Sequence, residues 1–294
     1  MDAFLQYSVS GLAVGIIYAL VALGFVIIFK SSGVLNIAQG ALLMFGAYLC
    51  YAFSEQAGLP FWLAALLTLV VSFILGRFIE MLIIRPMIGE PVFSIVMITI
   101  ALMIFLESVA QVIWGPLVLP YKEVAAVGSV ILGPISLRMP YIYGFLSCAL
   151  VFALFFFFYQ RTGIGLAMRA TADDETAANS VGMSGKQVYG MAWGIGCMVA
   201  AIGGIFMGWL TGVSQLLSPM GLMIFPVVIL GGLESIGGAL IGGLIIGLVQ
   251  NLSGGYIDAI VGSGTKELAP YVVMLLVLMI RPFGLFGLRR IERI

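Results

Sequence analysis

Apolar residues occur along this chain in long runs, and short polar segments separate the runs. A membrane core about 30 Å thick needs ~20 apolar residues to cross it as a helix. Eight runs come close to that length and are predicted crossings: residues 9–29, 36–53, 60–83, 92–114, 141–159, 187–212, 236–252 and 268–282. A ninth run, 220–230, has about half that length and contains Pro226, so a half-helix is predicted there. The pattern therefore predicts an all-α polytopic membrane helix bundle of about eight or nine segments, some of them broken.

The composition excludes an ordinary soluble protein. Hydrophobic residues make up 62% of the chain and charged residues 9%, against roughly a quarter charged in soluble domains. No polar stretch is long enough for a second domain, so residues 1–294 are predicted to be one transmembrane domain. The 13 basic residues balance the 13 acidic ones, which gives no reason to expect a nucleic-acid partner. Histidine is absent, and Cys50, Cys148 and Cys197 each lie in an apolar run, so neither a metal site nor a catalytic set is predicted.

Basic residues near the ends of the runs predict the orientation, because lysine and arginine are enriched on the cytoplasmic side. They mark four sets of ends: Lys30; Arg77 and Arg85; Arg161, Arg169 and Lys186; Arg281, Arg289, Arg290 and Arg293. The N-terminus is therefore expected outside and the C-terminus inside, provided that the half-helix and the next run act together as an in-and-out pair. A re-entrant half-helix would change this parity. The loop at about 115–140 is expected outside, although it contains Lys122 and Arg138. Its Gly133-Pro134 dipeptide, between two β-prone stretches, predicts a small hairpin.

One polar stretch between two predicted crossings, at about 160–187, differs from the rest of the chain. It holds six charged residues: Arg161, Arg169, Asp173, Asp174, Glu175 and Lys186. Thr171 is predicted to cap a short helix whose acidic first turn suits the helix dipole. Gly182 is a natural stop, and Ser184 with Gln187 fits a capping box for the next crossing. An organised charged helix indicates contact with a partner protein in the cytoplasm; the alternative is a solvated loop with a helical turn.

Four polar residues at two predicted helix breaks are candidates for a solute path: Asn36, Gln39, Glu234 and Ser235. The segments around them share a pattern, with Leu followed by Asn or Glu and, after three more residues, by Gly-Ala-Leu. Transporters are often built from repeats whose broken helices meet at the substrate site. These residues are therefore predicted to face the bundle interior. The alternative is that both segments are ordinary turns at the membrane surface.

Two other acidic residues lie within apolar runs. Glu107 lies near the outer end of its run, and an ionisable group in a membrane segment is a functional candidate. Its closeness to the interface makes a structural role an equal alternative. Glu80 follows Arg77 by three positions, and this spacing predicts a local ion pair near the inner surface.

Four sets of residues, taken in order, resemble one family. They are Gly11, Gly15, Tyr18 and Gly24; Asn36-Ile-Ala-Gln-Gly40 followed by Gly46-Ala-Tyr48; Gly165-x-Ala-Met-Arg169-Ala followed by Ala178 and Gly182; and Gly231-Gly-Leu-Glu-Ser235 followed by Gly242 and Gly243. Through them the chain resembles, over nearly its whole length, the permease subunits of ATP-driven importers of the branched-chain amino-acid (Liv) type.

The resemblance implies partners, a location and a solute. It implies a second permease of similar fold, two cytoplasmic ATPase subunits that bind ATP and magnesium, an extracytoplasmic solute-binding protein, and the cytoplasmic membrane of a prokaryote. No cofactor is implied in this chain itself. The residues implied to couple it to the ATPase are Arg169, Asp173, Asp174, Glu175, Ala178 and Gly182. Branched-chain amino acids are the implied default solute, while relatives handle urea, short amides and other small carboxylates.

The residues themselves leave other classes open. No Gly-x4-Gly-Lys-Ser/Thr sequence occurs, so the chain is not expected to hydrolyse ATP or to be an enzyme. A secondary transporter would be expected to carry several charges at mid-membrane depth, and only Glu107 comes near this. A channel would not need an organised cytoplasmic helix. A secondary transporter or channel for a small neutral solute stays the alternative function.

Overall fold

The computed structural model describes residues 2–122, 128–132 and 135–287. The long helices are α1 (Asp2–Ser32), α3 (Phe61–Ile79), α4 (Val92–Trp114), α5 (Met139–Arg161), α8 (Gly185–Thr211) and α11 (Ile236–Leu252). The shorter helices are α2 (Gln39–Tyr51), α6 (Gly163–Asp173), α7 (Glu175–Ser180), α9 (Leu217–Met220), α10 (Ile224–Gly231), α12 (Asp258–Val261) and α13 (Thr265–Ile280). Strands β1 (Ser129–Leu132) and β2 (Ile135–Arg138) form an antiparallel pair. The predicted all-α membrane bundle is confirmed.

Six helices in the described residues are long and apolar enough to cross a membrane. Two of the eight predicted crossings, 36–53 and 268–282, are not among these six. α2 and the π-helical turn Ala52–Gln56 that continues it cover 18 residues, and α13 covers 16. Before α2 begins, the non-helical residues 33–38 turn back into the bundle. Asn36 is fully buried there, and Gln39 Nε2 donates to the carbonyl oxygen of Val21 at 3.3 Å. α2 therefore starts beside the middle of α1 rather than at the cytoplasmic end.

The predicted half-helix is present and begins slightly earlier than expected. α9, a 3-10 turn at Gly221–Met223 and α10 form one apolar stretch, Leu217–Gly231. At 1.5 Å per residue this stretch reaches ~22 Å, which is less than the membrane core. Pro226 is the third residue of α10, within its first turn, where proline is tolerated best. The stretch ends where Gly232 adopts a φ of 101°.

α1 and α8 lie at the centre of the bundle. Over their most apolar stretches, 78% of α1 and 83% of α8 is buried, against 17% of α4 and 17% of α5. Trp193 of α8 and Phe25 of α1 are among the largest fully buried side chains. α4 and α5 are peripheral and present exposed apolar side chains such as Phe105 and Phe157. In a membrane protein this outer apolar surface meets lipid.

α1 and α11 touch through their backbones. A Cβ placed on Gly15 would lie 2.5 Å from the carbonyl oxygen of Gly243. One placed on Gly247 would lie 2.4 Å from the carbonyl oxygen of Gly11. Both distances are shorter than a carbon–oxygen contact allows, so no larger residue fits without moving the helices. Small residues spaced by four positions thus let α1 and α11 approach closely.

Alanine at Gly247 is expected to destabilise the protein by about 1–3 kcal/mol, because the new methyl group overpacks the α1–α11 contact. Thermal unfolding of the purified protein in detergent measures this. The matched control is Gly237→Ala on the same helix, where a Cβ meets nothing within 4 Å. The control is expected to be neutral or to gain up to about 1 kcal/mol from helix propensity. Equal losses for the two variants would contradict the close contact.

The segment between α4 and α5 is tied to the same end of the bundle as the start of α3. Lys122 N donates to Glu55 Oε1 at 2.7 Å, and the Tyr121 hydroxyl donates to the carbonyl oxygen of Ala47 at 2.9 Å. Burial raises the pKa of Tyr121 well above its ordinary value, so the hydroxyl keeps its proton. The pairing of β1 with β2 confirms the hairpin, although its Gly133-Pro134 turn lies outside the described residues.

The predicted ion pair between Arg77 and Glu80 is wrong. Glu80 is fully buried and pairs with Arg85, whose Nη2 lies 2.7 Å from Glu80 Oε2. Residues 80–84 form a π-helical turn, in which the widened helix places positions i and i+5 on the same face. Arg77 instead directs Nη1 to the sulfur of Met191 at 3.7 Å. The spacing rule for an ordinary α-helix therefore selected the wrong arginine.

Candidate coupling element and solute path

α6 and α7 together form the charged segment between α5 and α8, called here the coupling element. The Thr162 hydroxyl caps α6 and accepts from Gly165 N at 3.0 Å. Asp174 caps α7 and its Oδ1 accepts from Ala177 N at 2.9 Å. The predicted short helix is present, but Thr171 does not cap it. Thr171 is buried inside α6, and the chain becomes extended only at Asp174.

Gly182 ends α7 as predicted, with a φ of 88°. Met183 N donates to the carbonyl oxygen of Ala178 at 3.1 Å, which closes the helix end. The predicted capping box between Ser184 and Gln187 is wrong, since the Ser184 side chain makes no cap hydrogen bond. Gly185 N instead donates to Asn179 Oδ1 at 3.3 Å. The start of α8 is therefore tied to α7 by a residue of α7.

α7 has an outer face and an anchored face. Ala178 is only 3% exposed and packs against its own chain, and the Tyr189 hydroxyl donates a hydrogen bond to the Glu175 carboxylate. The outer face is formed by exposed residues, namely Asp173, Asp174, Thr176, Ala177, Ser180, Val181 and Gly182. Val181 is 78% exposed, which is high for an aliphatic side chain. The outer face is therefore acidic with one apolar side chain, while Ala178 lies beneath it.

Arg169 anchors the coupling element to the bundle. Its Nη1 donates to the carbonyl oxygen of Tyr159, and its guanidinium lies 5.3 Å from the centre of the Tyr159 ring. Lys30 at the end of α1 lies 5.5 Å from the same ring. Three elements that carry basic residues thus meet at one end of the molecule. Arg169 therefore ties α6 to the end of α5.

Asn36 and Gln39, two of the predicted path residues, contact each other in the interior. Asn36 Nδ2 donates to Gln39 Oε1 at 2.9 Å, and both side chains are at most 1% exposed. Asn36 Oδ1 has no hydrogen-bond partner. Thr99 of α4 lies beside them and accepts from Ile37 N at 3.4 Å. These contacts place the pair at the start of α2, between α1 and α4.

Glu234 and Ser235, the other two path residues, lie in a different place. Ser235 caps α11 and accepts from Gly238 N at 3.0 Å. Both residues line a cavity of about 590 Å³ together with Lys30 and Tyr159. Gln39 lies beside Val21, nine positions before Lys30, which is ~14 Å along α1. The four residues therefore form two pairs that lie at separate places in the bundle. Their role in a solute path stays a prediction.

Glu107 has a partner on the broken helix. Its Oε1 accepts from the Ser218 hydroxyl at 2.6 Å, and its carbonyl oxygen accepts from Gln215 at 3.4 Å. These bonds tie the outer end of α4 to the start of α9. The arrangement favours the structural alternative for Glu107.

A second cavity, on the side of the bundle where α13 begins, was missed by sequence reasoning. It has a volume of about 610 Å³ and is lined by residues from six helices, among them Tyr18 and Gln250. The available signal was Gln250, a polar residue at the end of an otherwise apolar helix. In sequence it is indistinguishable from a capping residue, because the cavity is formed by segments far apart in the chain.

The six helices long enough to cross a membrane, the buried core and the broken helix Leu217–Gly231 define a multi-pass membrane protein. The family described as "Branched-chain amino acid transport system / permease component" matches residues 7–280. The chain belongs to this family.

Several named permeases align with the chain over almost its whole length. The branched-chain amino acid permease BraD of Pseudomonas aeruginosa and LivH of Escherichia coli are each 27% identical to it over 310 aligned positions, covering 99% of this chain and 98% of the relative. A probable LivH of Methanocaldococcus jannaschii is 26% identical and covers 91% of the chain and 88% of the relative. The PsaBC complex of Streptococcus pneumoniae with a Fab contains a chain that is 14% identical, with a TM-score of 0.50 and coverage of 96% and 94%. The last likeness concerns the fold alone.

Proposed function

We propose that this chain is the translocation subunit of an ATP-driven importer. It moves branched-chain amino acids, or a similar small solute, inward across the cytoplasmic membrane of a prokaryote. The observation that supports this most directly is α7: its underside is fastened to the bundle through Ala178 and Glu175, while its acidic outer face is exposed. A helix held in this way can transmit a movement of a bound partner to the membrane helices.

The proposed complex contains a second permease of similar fold, two ATPase subunits and an extracytoplasmic solute-binding protein. ATP and magnesium are bound by the ATPase subunits, since the chain has no Gly-x4-Gly-Lys-Ser/Thr sequence. The names of the relatives support branched-chain amino acids as the solute. Asn36 and Gln39 are polar but uncharged, which suits passage of a small solute without tight capture.

Co-expression of this chain with genes for a second permease, the ATPase subunits and the solute-binding protein tests this function. The chain is expected to co-purify with ATPase subunits, and proteoliposomes holding the complex are expected to accumulate leucine only with ATP and loaded binding protein. The control omits the binding protein. Leucine uptake driven by an ion gradient without ATP would favour the secondary transporter, and uptake with no energy source would favour the channel.

A further inference from the structure

Two broken segments of the bundle touch each other. The first consists of the non-helical residues 33–38 and the start of α2, and the second is Leu217–Gly231, which is interrupted by a 3-10 turn that begins at Gly221. A Cβ placed on Gly221 would lie 2.0 Å from the Cα of Gly40, and one placed on Gly40 would lie 2.2 Å from the carbonyl oxygen of Ser218. The two backbones therefore meet directly, and transporters commonly place the substrate path where broken helices meet.

α4 bonds to both broken segments. Thr99 is fully buried, and its hydroxyl oxygen accepts from Ile37 N at 3.4 Å and lies 3.3 Å from the carbonyl oxygen of Leu35, both in the first segment. Glu107 Oε1 accepts from the Ser218 hydroxyl at 2.6 Å, in the second segment. Thr99 and Glu107 lie eight positions apart, which is ~12 Å along the helix. One peripheral helix therefore carries a polar contact to each of the two segments.

The contact with Thr99 supplies a hydrogen bond that the first segment lacks. Ile37 N lies outside any helix, and in a membrane such a backbone group needs a partner within the protein. The Thr99 hydroxyl supplies the acceptor. Asn36 Oδ1, in the same segment, is buried and has no hydrogen-bond partner, which disfavours this arrangement of the segment. The bond to Thr99 therefore opposes a local tendency of the segment to rearrange.

We propose that Glu107 and Thr99 are positioning residues for transport, through which α4 holds the two broken segments together so that they move as one unit when the solute passes. A carboxyl group within an apolar membrane helix is unfavourable and is rarely kept without a role. The bond to Ser218 gives Glu107 that role without ion coupling, since the bond requires an acceptor and no exchange of a proton. This inference rests on the proposed function and adds residues of α4 to the transport step.

The test uses the complete importer in proteoliposomes with leucine-loaded binding protein, and the readout is the amount of leucine taken up per ATP hydrolysed. A permease that only folds less well lowers uptake and stimulated hydrolysis together and leaves this ratio unchanged. Glu107→Leu removes the acceptor and is expected to lower the ratio about tenfold. Glu107→Gln keeps an oxygen acceptor for the Ser218 hydroxyl and is expected to restore most of the ratio.

Further variants test each partner of α4. Ser218→Ala removes the donor and is expected to match Glu107→Leu, with no further loss in the double variant. Thr99→Val is expected to lower the ratio as well, and Thr99→Ser is expected to restore it. The matched control is Ser108→Ala, since the Ser108 hydroxyl bonds to the Ile104 carbonyl oxygen of its own helix. An unchanged ratio is expected for this control.

A second measurement, on the permease alone, tests the contact itself. Thermal unfolding in detergent of Glu107→Leu, Ser218→Ala and the double variant forms a double-mutant cycle, in which the losses of stability are expected to be less than additive. Additive losses, or a normal transport ratio in Glu107→Leu, would overturn the positioning role. A ratio in Glu107→Gln as low as in Glu107→Leu would also overturn it, because the charge rather than the acceptor would then be needed. Absence of ATP-driven uptake by the unaltered complex would reject the proposed function and this role together, even with the contact intact in the unfolding cycle.

Discussion

Arginine at Ala177 is expected to lower both solute-stimulated ATP hydrolysis and uptake by about tenfold or more, with the permease still folded. Ala177 is exposed on the outer face of α7, and arginine is a good helix former. The backbone N–H of residue 177 still reaches the Asp174 cap. In the proposed complex the new side chain adds bulk and positive charge at the contact with the ATPase subunit. Single residues at the centre of an interface can change the binding free energy by about 2 kcal/mol or more.

The matched control is Ala57→Arg, the same change at an exposed position on the opposite end of the bundle. Co-purification of the ATPase with this variant is expected to be unchanged. ATP hydrolysis and uptake are measured side by side in the reconstituted complex. Full stimulated hydrolysis and full uptake in Ala177→Arg would show that the outer face of α7 does not couple the two activities.

Ala178 is a less informative position for this test, although it belongs to the predicted coupling residues. Because Ala178 is 3% exposed, arginine there overpacks the anchored side of α7 by about 1–3 kcal/mol. Lost transport in that variant would reflect a displaced helix as well as a lost contact. The contrast between positions 177 and 178 therefore separates docking from folding.

Leucine at Arg85 is expected to destabilise the protein by about 3 kcal/mol. Removing one partner of a buried ion pair leaves the other charge without compensation, which costs ~3–5 kcal/mol. The low end applies because the Arg85 side chain is 32% exposed, while Glu80 is fully buried. Thermal unfolding in detergent measures the loss.

Two comparison variants make this result specific. Arg77→Leu removes the arginine that the α-helical spacing selected, and a smaller loss is expected because Arg77 contacts the Met191 sulfur. The double variant Glu80→Leu with Arg85→Leu is expected to recover most of the stability, since apolar pairs often replace buried ion pairs without loss. A larger loss of stability for Arg77→Leu than for Arg85→Leu would instead support the predicted ion pair between Arg77 and Glu80.

The membrane fold could be predicted because its main signal is one-dimensional. A run of ~20 apolar residues crosses the membrane whatever its neighbours are, and glycines four positions apart share a helix face. The start of α2 at Gln39, three residues later than predicted, could not be predicted in this way. It depends on where residues 33–38 fold back against Val21, which is a tertiary contact.

The coupling element was predicted in outline and missed in detail. Its position and the stop at Gly182 follow from charge and from the conformational freedom of glycine. The cap moved from Thr171 to Asp174 because α6 continues through Thr171, which is buried in it. The burial of Ala178 depends on packing against α8, and a sequence of small residues does not show which side of a six-residue helix faces the bundle.

The structure also bears on the order in which the chain can be built. α2 has ten buried residues among its 13, and Gly46 and Leu43 lie against Ala201 and Gly204 of α8. During synthesis α2 leaves the ribosome well before α8, so its contacts with α8 form only after the later helix has been made. The interior around α2 is therefore complete only when α8 is in place beside it.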